Sequence, residues 1–170
     1  MTGDRWVRQA VSQVEPGHWK KQLPTKHLKL AERGDRASLE ALLAESPELL
    51  NHRGSHGRTF LFEAVRKGRE HLVKWLIDQG ANIHLTGCYN IETIVQINPL
   101  SAARWYRRIA LVEMLIKHGA SNDIFRSAFN GEHEAVEAGL QKDIQLLALE
   151  DPEDEIYYTP LLSFAIAGGH

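Results

Sequence analysis

Residues 57 to 84 read GRTFLFEAVRKGREHLVKWLIDQGANIH. Leu61, Ala64 and Val65 recur at helical spacing, and Gly68 follows where that helix must stop. A second periodic run of Leu72, Val73, Trp75, Leu76 and Ile77 ends the same way at Gly80. Glycine suits a helix end because the left-handed conformation brings it no Cβ clash. Each helix predicted here is too short to hold in water alone, and one apolar face on each is too little for a core. Such a pair needs neighbours to stack on, which is the physical signature of a repeat array.

Poorer copies of the phrase lie on both sides. Upstream, TKHLKLAERGDRASLEALLAESPELLN puts Gly34 in the column of Gly68, with Thr25 against Thr59 as the N-cap. Downstream, NPLSAARWYRRIALVEMLIKHGASND aligns Leu100 with Leu61, Ala103 with Ala64 and Gly119 with Gly80, and Arg107 takes the glycine column. A fourth copy places Gly131 there, and a fifth, PLLSFAIAGGH, places Gly169. The steps are 34, 39, 24 and 38 residues, averaging close to the 33 of one helix-pair repeat class. A step of 24 leaves almost no room for a β-finger between the third and fourth copies. The long steps give extra length to residues 84 to 99 and 149 to 160.

The run from Gly57 to Asn82 resembles an ankyrin repeat, and so does the run from Leu100 to Asn122. The Thr, Leu and Ala of the family's Thr-Pro-Leu-His-x-Ala start, its Gly between helices and its Gly-Ala-Asn ending are present in residues 57 to 84. Phe60 replaces the Pro and Phe62 the His. The resemblance extends over residues 25 to 170. It implies an all-α solenoid of stacked helix pairs with irregular β-hairpin or loop fingers, about four and a half repeats long. It also implies a non-enzymatic scaffold that binds a protein partner through the concave face lined by first helices and fingers. An alternative is an N-terminal regulatory or targeting domain of a larger enzyme or effector.

Composition fits a folded soluble domain. The chain has 170 residues, 43% hydrophobic and 25% charged, with a net charge of −2, so the overall balance does not point to nucleic acid or a membrane surface. Cys88 is the single cysteine, so no intrachain disulfide can form. No apolar run approaches the roughly 20 residues that span a bilayer, and the N-terminus lacks the apolar core of a secretory signal. A cytoplasmic location is expected. Residues 1 to 24 carry Asp4 as a plausible N-cap and a stripe of Trp6, Val7, Ala10, Val11 and Val14, read as a helical cap over the first repeat. At the other end, Leu162, Phe164, Ala165 and Ile166 form an apolar face expected to be bare.

Catalytic and metal-binding signals are poor. His84 and Cys88 lack a second ligand pair, and EHEAVE lacks the second histidine of a zinc protease motif. The acidic run Glu150, Asp151, Glu153, Asp154 and Glu155 lacks the spacing of a calcium loop and reads as solvated. No cofactor is expected. The feature that rises above this background is RWYRR, residues 104 to 108, because Trp, Tyr and Arg are the side chains enriched at binding hot spots. In an ankyrin-like stack Arg104, Trp105, Tyr106 and Arg107 would lie beside Tyr89 of the finger and Arg66 and Lys67 of the preceding first helix. An acidic, partly apolar protein segment is the expected partner. The alternative expectation is that Trp105 packs on the long preceding finger.

The core predicted by the pattern is Leu61, Ala64, Leu72, Val73, Leu76, Ile77, Leu100, Ala103, Leu111, Val112 and Leu115. Truncating Leu76 to Ala should cost about 2–5 kcal/mol, measured by chemical denaturation. A loss under about 0.5 kcal/mol, the range of surface changes, would remove Leu76 from the core.

Overall fold

The computed structural model describes residues 23–88, 95–148, 150–151 and 160–170. Residues 1 to 22 of the cap expected at residues 1 to 24, Tyr89, and Glu153, Asp154 and Glu155 lie outside the described residues. Within them the chain forms four helix pairs and a ninth helix: α1 (Thr25–Arg33) with α2 (Arg36–Glu45), α3 (Phe60–Arg66) with α4 (Glu70–Asp78), α5 (Pro99–Trp105) with α6 (Ile109–Lys117), α7 (Ile124–Phe129) with α8 (His133–Lys142), then α9 (Leu161–Gly168). First helices stack on one another, α1 on α3, α3 on α5 and α7 on α9, while α6 lies on α4. The architecture is the all-α array of helix pairs expected from the repeats.

Side-chain caps start several helices. Thr59 accepts from the Phe62 amide at 3.2 Å, Asn98 from Ser101 at 2.8 Å, and Asp123 from Arg126 at 2.9 Å, each satisfying an amide that the helix cannot. Thr25 departs from its expected role. It is the first helical residue, Pro24 holds the cap position, and no side chain caps the helix. The ring of Pro24 already presets its φ, so α1 begins one residue earlier than the alignment with Thr59 requires.

The glycine column is realised in the backbone. Gly34, Gly68, Gly131 and Gly169 have φ of 80°, 68°, 68° and 81°, and Arg107 takes the same left-handed turn at 54°. The turn lets each second helix fold back on its first. It also leaves a bare Cα over which the next repeat lays a side chain: Arg69 lies over Gly34, Arg108 over Gly68 and His170 over Gly131. Nine of the predicted core residues are buried, whereas Ile77 and Val112 are half-buried. Both still pack against the buried cluster.

The long second-to-third connection folds into a small finger. Gly87–Cys88 (β1) pairs antiparallel with Gln96–Ile97 (β2). Arg58 fastens it, donating to the Cys88 carbonyl at 2.6 Å and to Glu63 at 3.2 Å. The 24-residue step has no finger. There a polar lattice joins α5 to α7: Asn130 donates to Ser101 at 2.9 Å, Ser101 to Asn122 at 3.1 Å, and Asn122 to Glu132 at 3.0 Å. In the acidic run, the expectation of a wholly solvated loop fails at Asp151. Arg126, 1% exposed, grips it with two parallel hydrogen bonds of 2.8 Å while also donating to Asp123 at 2.9 Å. A guanidinium buried by α9 needs a carboxylate partner, and its face rests on the Phe164 ring at 5.3 Å. The C-terminal face is divided: Phe164 is buried, Leu162 and Ile166 are exposed.

Arg107 stands where the array otherwise uses glycine. Arg107→Gly relieves the left-handed strain, roughly 1–2 kcal/mol, against a backbone entropy loss of roughly 0.5–1 kcal/mol. A net gain of about 1 kcal/mol or less is expected in thermal or urea melts. A clear loss of stability would show that the Arg107 side chain, rather than the backbone turn, holds this position.

Candidate partner-binding face

The ends of the first helices and the turns after them form the face on which the predicted binding residues fall. Two groups result. In the first, Arg66 at the end of α3 donates through Nε to Glu63 at 2.8 Å and through Nη2 to Glu32 of α1 at 3.3 Å. Lys67 reaches the same Glu32 at 2.9 Å. Tyr106 sits next to this set, half-buried against the core. Burial pushes its phenol up from the ordinary value, opposed by the charges of Arg66 and Arg58. For Arg66, burial would lower the guanidinium, but Glu63 beside it, by charge and hydrogen bond, leaves it raised.

The second group lies toward the fourth repeat. Arg104 forms an ion pair with Glu132. Trp105 packs on Phe129 of α7, ring centres 5.2 Å apart at 45°, and keeps 42% of its surface exposed. Its support is thus the following repeat and not the preceding finger alone, because the short 24-residue step brings α7 close. Arg107 projects from the turn, exposed, and no ion pair is formed by it among the described residues. Arg66, Lys67 and Tyr106 therefore come together, Arg104 and Trp105 adjoin the next repeat, and Arg107 stands between the two groups in sequence. Tyr89 lies outside the described residues.

Sequence reasoning missed the carboxylates. Glu63 was legible in principle, since it precedes Arg66 by three helical positions. Glu32 and Glu132 come from other repeats, and no local signal announces them. The face is consequently a set of paired charges with exposed aromatic surface, rather than a bare cationic patch. Among the described residues no cluster of three or more His, Cys, Asp or Glu could hold a metal ion. No helix among them is long and apolar enough to cross a membrane.

A family model described as ankyrin repeats, in three copies, matches residues 27–126. The chain belongs to the ankyrin repeat family. Ankyrin repeats are protein–protein interaction modules, and the family is generally non-enzymatic. No curated protein matches the sequence. Among solved structures, this ankyrin array is similar to a chain of the complex of the predatory endopeptidase Bd0816 from Bdellovibrio bacteriovorus with the immunity protein Bd3460. The TM-score is 0.51 at 25% identity, over 88% of this chain and 83% of that one.

Electrostatic pairing on this face makes it acid-sensitive. The hydrogen bond from Lys67 is the main cause holding the Glu32 carboxyl below its usual value, and the charges of Lys67 and Arg66 add to it against burial. A carboxyl lowered in the folded state contributes stability above its unfolded value of about 4.3, and that contribution is lost as pH falls through the folded value. Glu32→Gln should therefore flatten the fall in melting temperature between about pH 5 and pH 3. Identical pH profiles for both proteins would mean that Glu32 is no more tightly held in the folded chain than in the unfolded one.

Proposed function

We propose that this chain is a non-catalytic binding protein that holds a protein partner along the ends of its first helices, with contact centred on Trp105 and Arg107. The observation that carries this reading is an exposed indole braced from behind by Phe129 and followed two residues later by an exposed guanidinium that forms no ion pair among the described residues. A tryptophan held rigid before binding loses little side-chain freedom on contact, and Trp and Arg dominate binding hot spots. Arg66, Lys67 and Arg104 already have carboxylate partners. An acidic partner segment would bind by exchanging its own carboxylates for those of Glu32 and Glu132, which sets register more than affinity.

The similarity to a chain of an endopeptidase–immunity protein complex favours a more specific form of this proposal. The bound partner would be masked and held inactive, not merely tethered.

With the partner captured from its source cells, Trp105→Ala should raise the dissociation rate at least about thirtyfold, the lower bound for a hot spot. Arg107→Glu should slow association and weaken its salt dependence. Lys74→Glu, on α4, should change neither. Surface plasmon resonance measures all three. Unchanged dissociation for Trp105→Ala would move the contact away from this face.

A further inference from the structure

The turns of the first three repeats carry guanidiniums that no carboxylate holds. Arg69 and Arg108 stand at the N-cap positions of α4 and α6, where α2 has Asp35 and α8 has Glu132. Asp35 caps its helix by accepting from the Ser38 amide at 3.1 Å. An arginine has no acceptor to offer, and each turns back over the glycine of the preceding repeat: Arg69 over Gly34, Arg108 over Gly68. Arg33, next to Gly34, lines one cleft of about 370 Å³ together with Arg69 and Gly68. All three arginines are exposed. Arg69 donates to the Glu32 carbonyl at 3.0 Å, and none of the three forms an ion pair among the described residues.

The opposing charges are accounted for. Glu32 is taken by Arg66 and Lys67, and Asp35 by its cap on α2. Glu70 alone among the cleft residues is acidic, so three guanidiniums face one carboxylate. The cleft lies between two complete helix pairs, α1 with α2 and α3 with α4. Its upper neighbour, Arg108, belongs to a third pair that is complete as well. The row stops at the fourth repeat, where Glu132 takes the position of Arg69 and Arg108. At the third repeat it meets Arg107, so it continues the face proposed around Trp105 toward the start of the array.

We propose that this row of turns binds an extended segment of a partner protein carrying an acidic residue at every third position. The proposal rests on the reading of this chain as the binder of an acidic protein segment, and it specifies the pattern of that segment. Packed helices lie about 8–10 Å apart, which sets the step from the guanidinium over Gly34 to the one over Gly68. An extended chain covers about 10 Å in three residues, so carboxylates three apart meet successive turns. Arg33 and Arg69 take one carboxylate and Arg108 the next, each through the planar fork that suits a carboxylate. Phosphates along one strand of duplex DNA recur about every 3.4 Å, too closely for this step.

The probe is a short synthetic peptide of Ser and Thr with Glu at every third position. It is titrated into the full chain at low salt beside an isomer in which the same Glu residues are adjacent. The spaced peptide should bind about threefold tighter or more, a difference within the range of exposed charge pairs. Arg33→Glu and Arg108→Glu should each weaken it by a similar factor, and Glu70→Gln should tighten it. Lys74→Glu should change nothing. Arg33 and Arg108 are exposed and make no ion pair among the described residues, so both variants should melt like the parent chain. Trp105→Ala should leave peptide binding unchanged, so failure of the Trp105 contact and failure of this row show in different assays. Three outcomes overturn the proposal: no binding of the spaced peptide at millimolar concentration, equal binding of both isomers, or binding that survives Arg33→Glu and Arg108→Glu. Tighter binding of a single-stranded oligonucleotide than of the spaced peptide also overturns it, since nucleic acid would then be the occupant.

Discussion

The left-handed turn between the two helices of each repeat is the constraint on which the array rests. It is a single residue of positive φ, at positions 34, 68, 107, 131 and 169. Helices of six to ten residues cannot persist alone, so they must fold back at once and bury their apolar faces on each other. The turn that permits this also clears the space above it. Arg69, Arg108 and His170 each lie over the glycine of the preceding repeat, so the same residue that ends one helix seats the next pair. At Gly168 the approach is closer still: a Cβ there would run into the Phe129 carbonyl, and α9 meets α7 only because none is present.

With the stack given, charge fills the places where apolar packing is interrupted. Arg58 and Glu63 are buried together beneath the finger, and Arg126 and Asp151 beneath α9. In each case an arginine reaches across a connection of irregular length and ties it to a first helix. A buried guanidinium left unpaired would cost several kcal/mol, so each pair confines its connection to one position. The 24-residue step has no slack to tie, and Asn122, Asn130, Ser101 and Glu132 join the third and fourth repeats directly. That directness brings Phe129 under Trp105. The exposed aromatic surface proposed as a binding point is thus a product of the shortest step in the array.

Such packing explains why the site was only partly legible beforehand. RWYRR stood out because Trp, Tyr and Arg are enriched at binding hot spots, and the structure places Trp105 at the surface and Arg107 in the turn. The electrostatic character of the face was misjudged, because the carboxylates that neutralise Arg66, Lys67 and Arg104 lie 34, 35 and 28 residues away from them in sequence. Asp151 illustrates the same limit. Its neighbours are acidic and its run reads as solvated, yet it is buried through Arg126, which precedes it by 25 residues.

Local patterns in the sequence determined the repeat unit, the positions of the left-handed turns, most of the core and the absence of a finger at the short step. Each depends on interactions within about one repeat: helical period, glycine at a turn, and a cap three residues from the amide it serves. Tertiary structure alone decided which arginines are paired, what supports Trp105, and that among the described residues α8 buries none of its side chains while α4 buries four. Those outcomes depend on which residues of different repeats are brought face to face. That is set by the accumulated lengths of the connections, which no single stretch of sequence records.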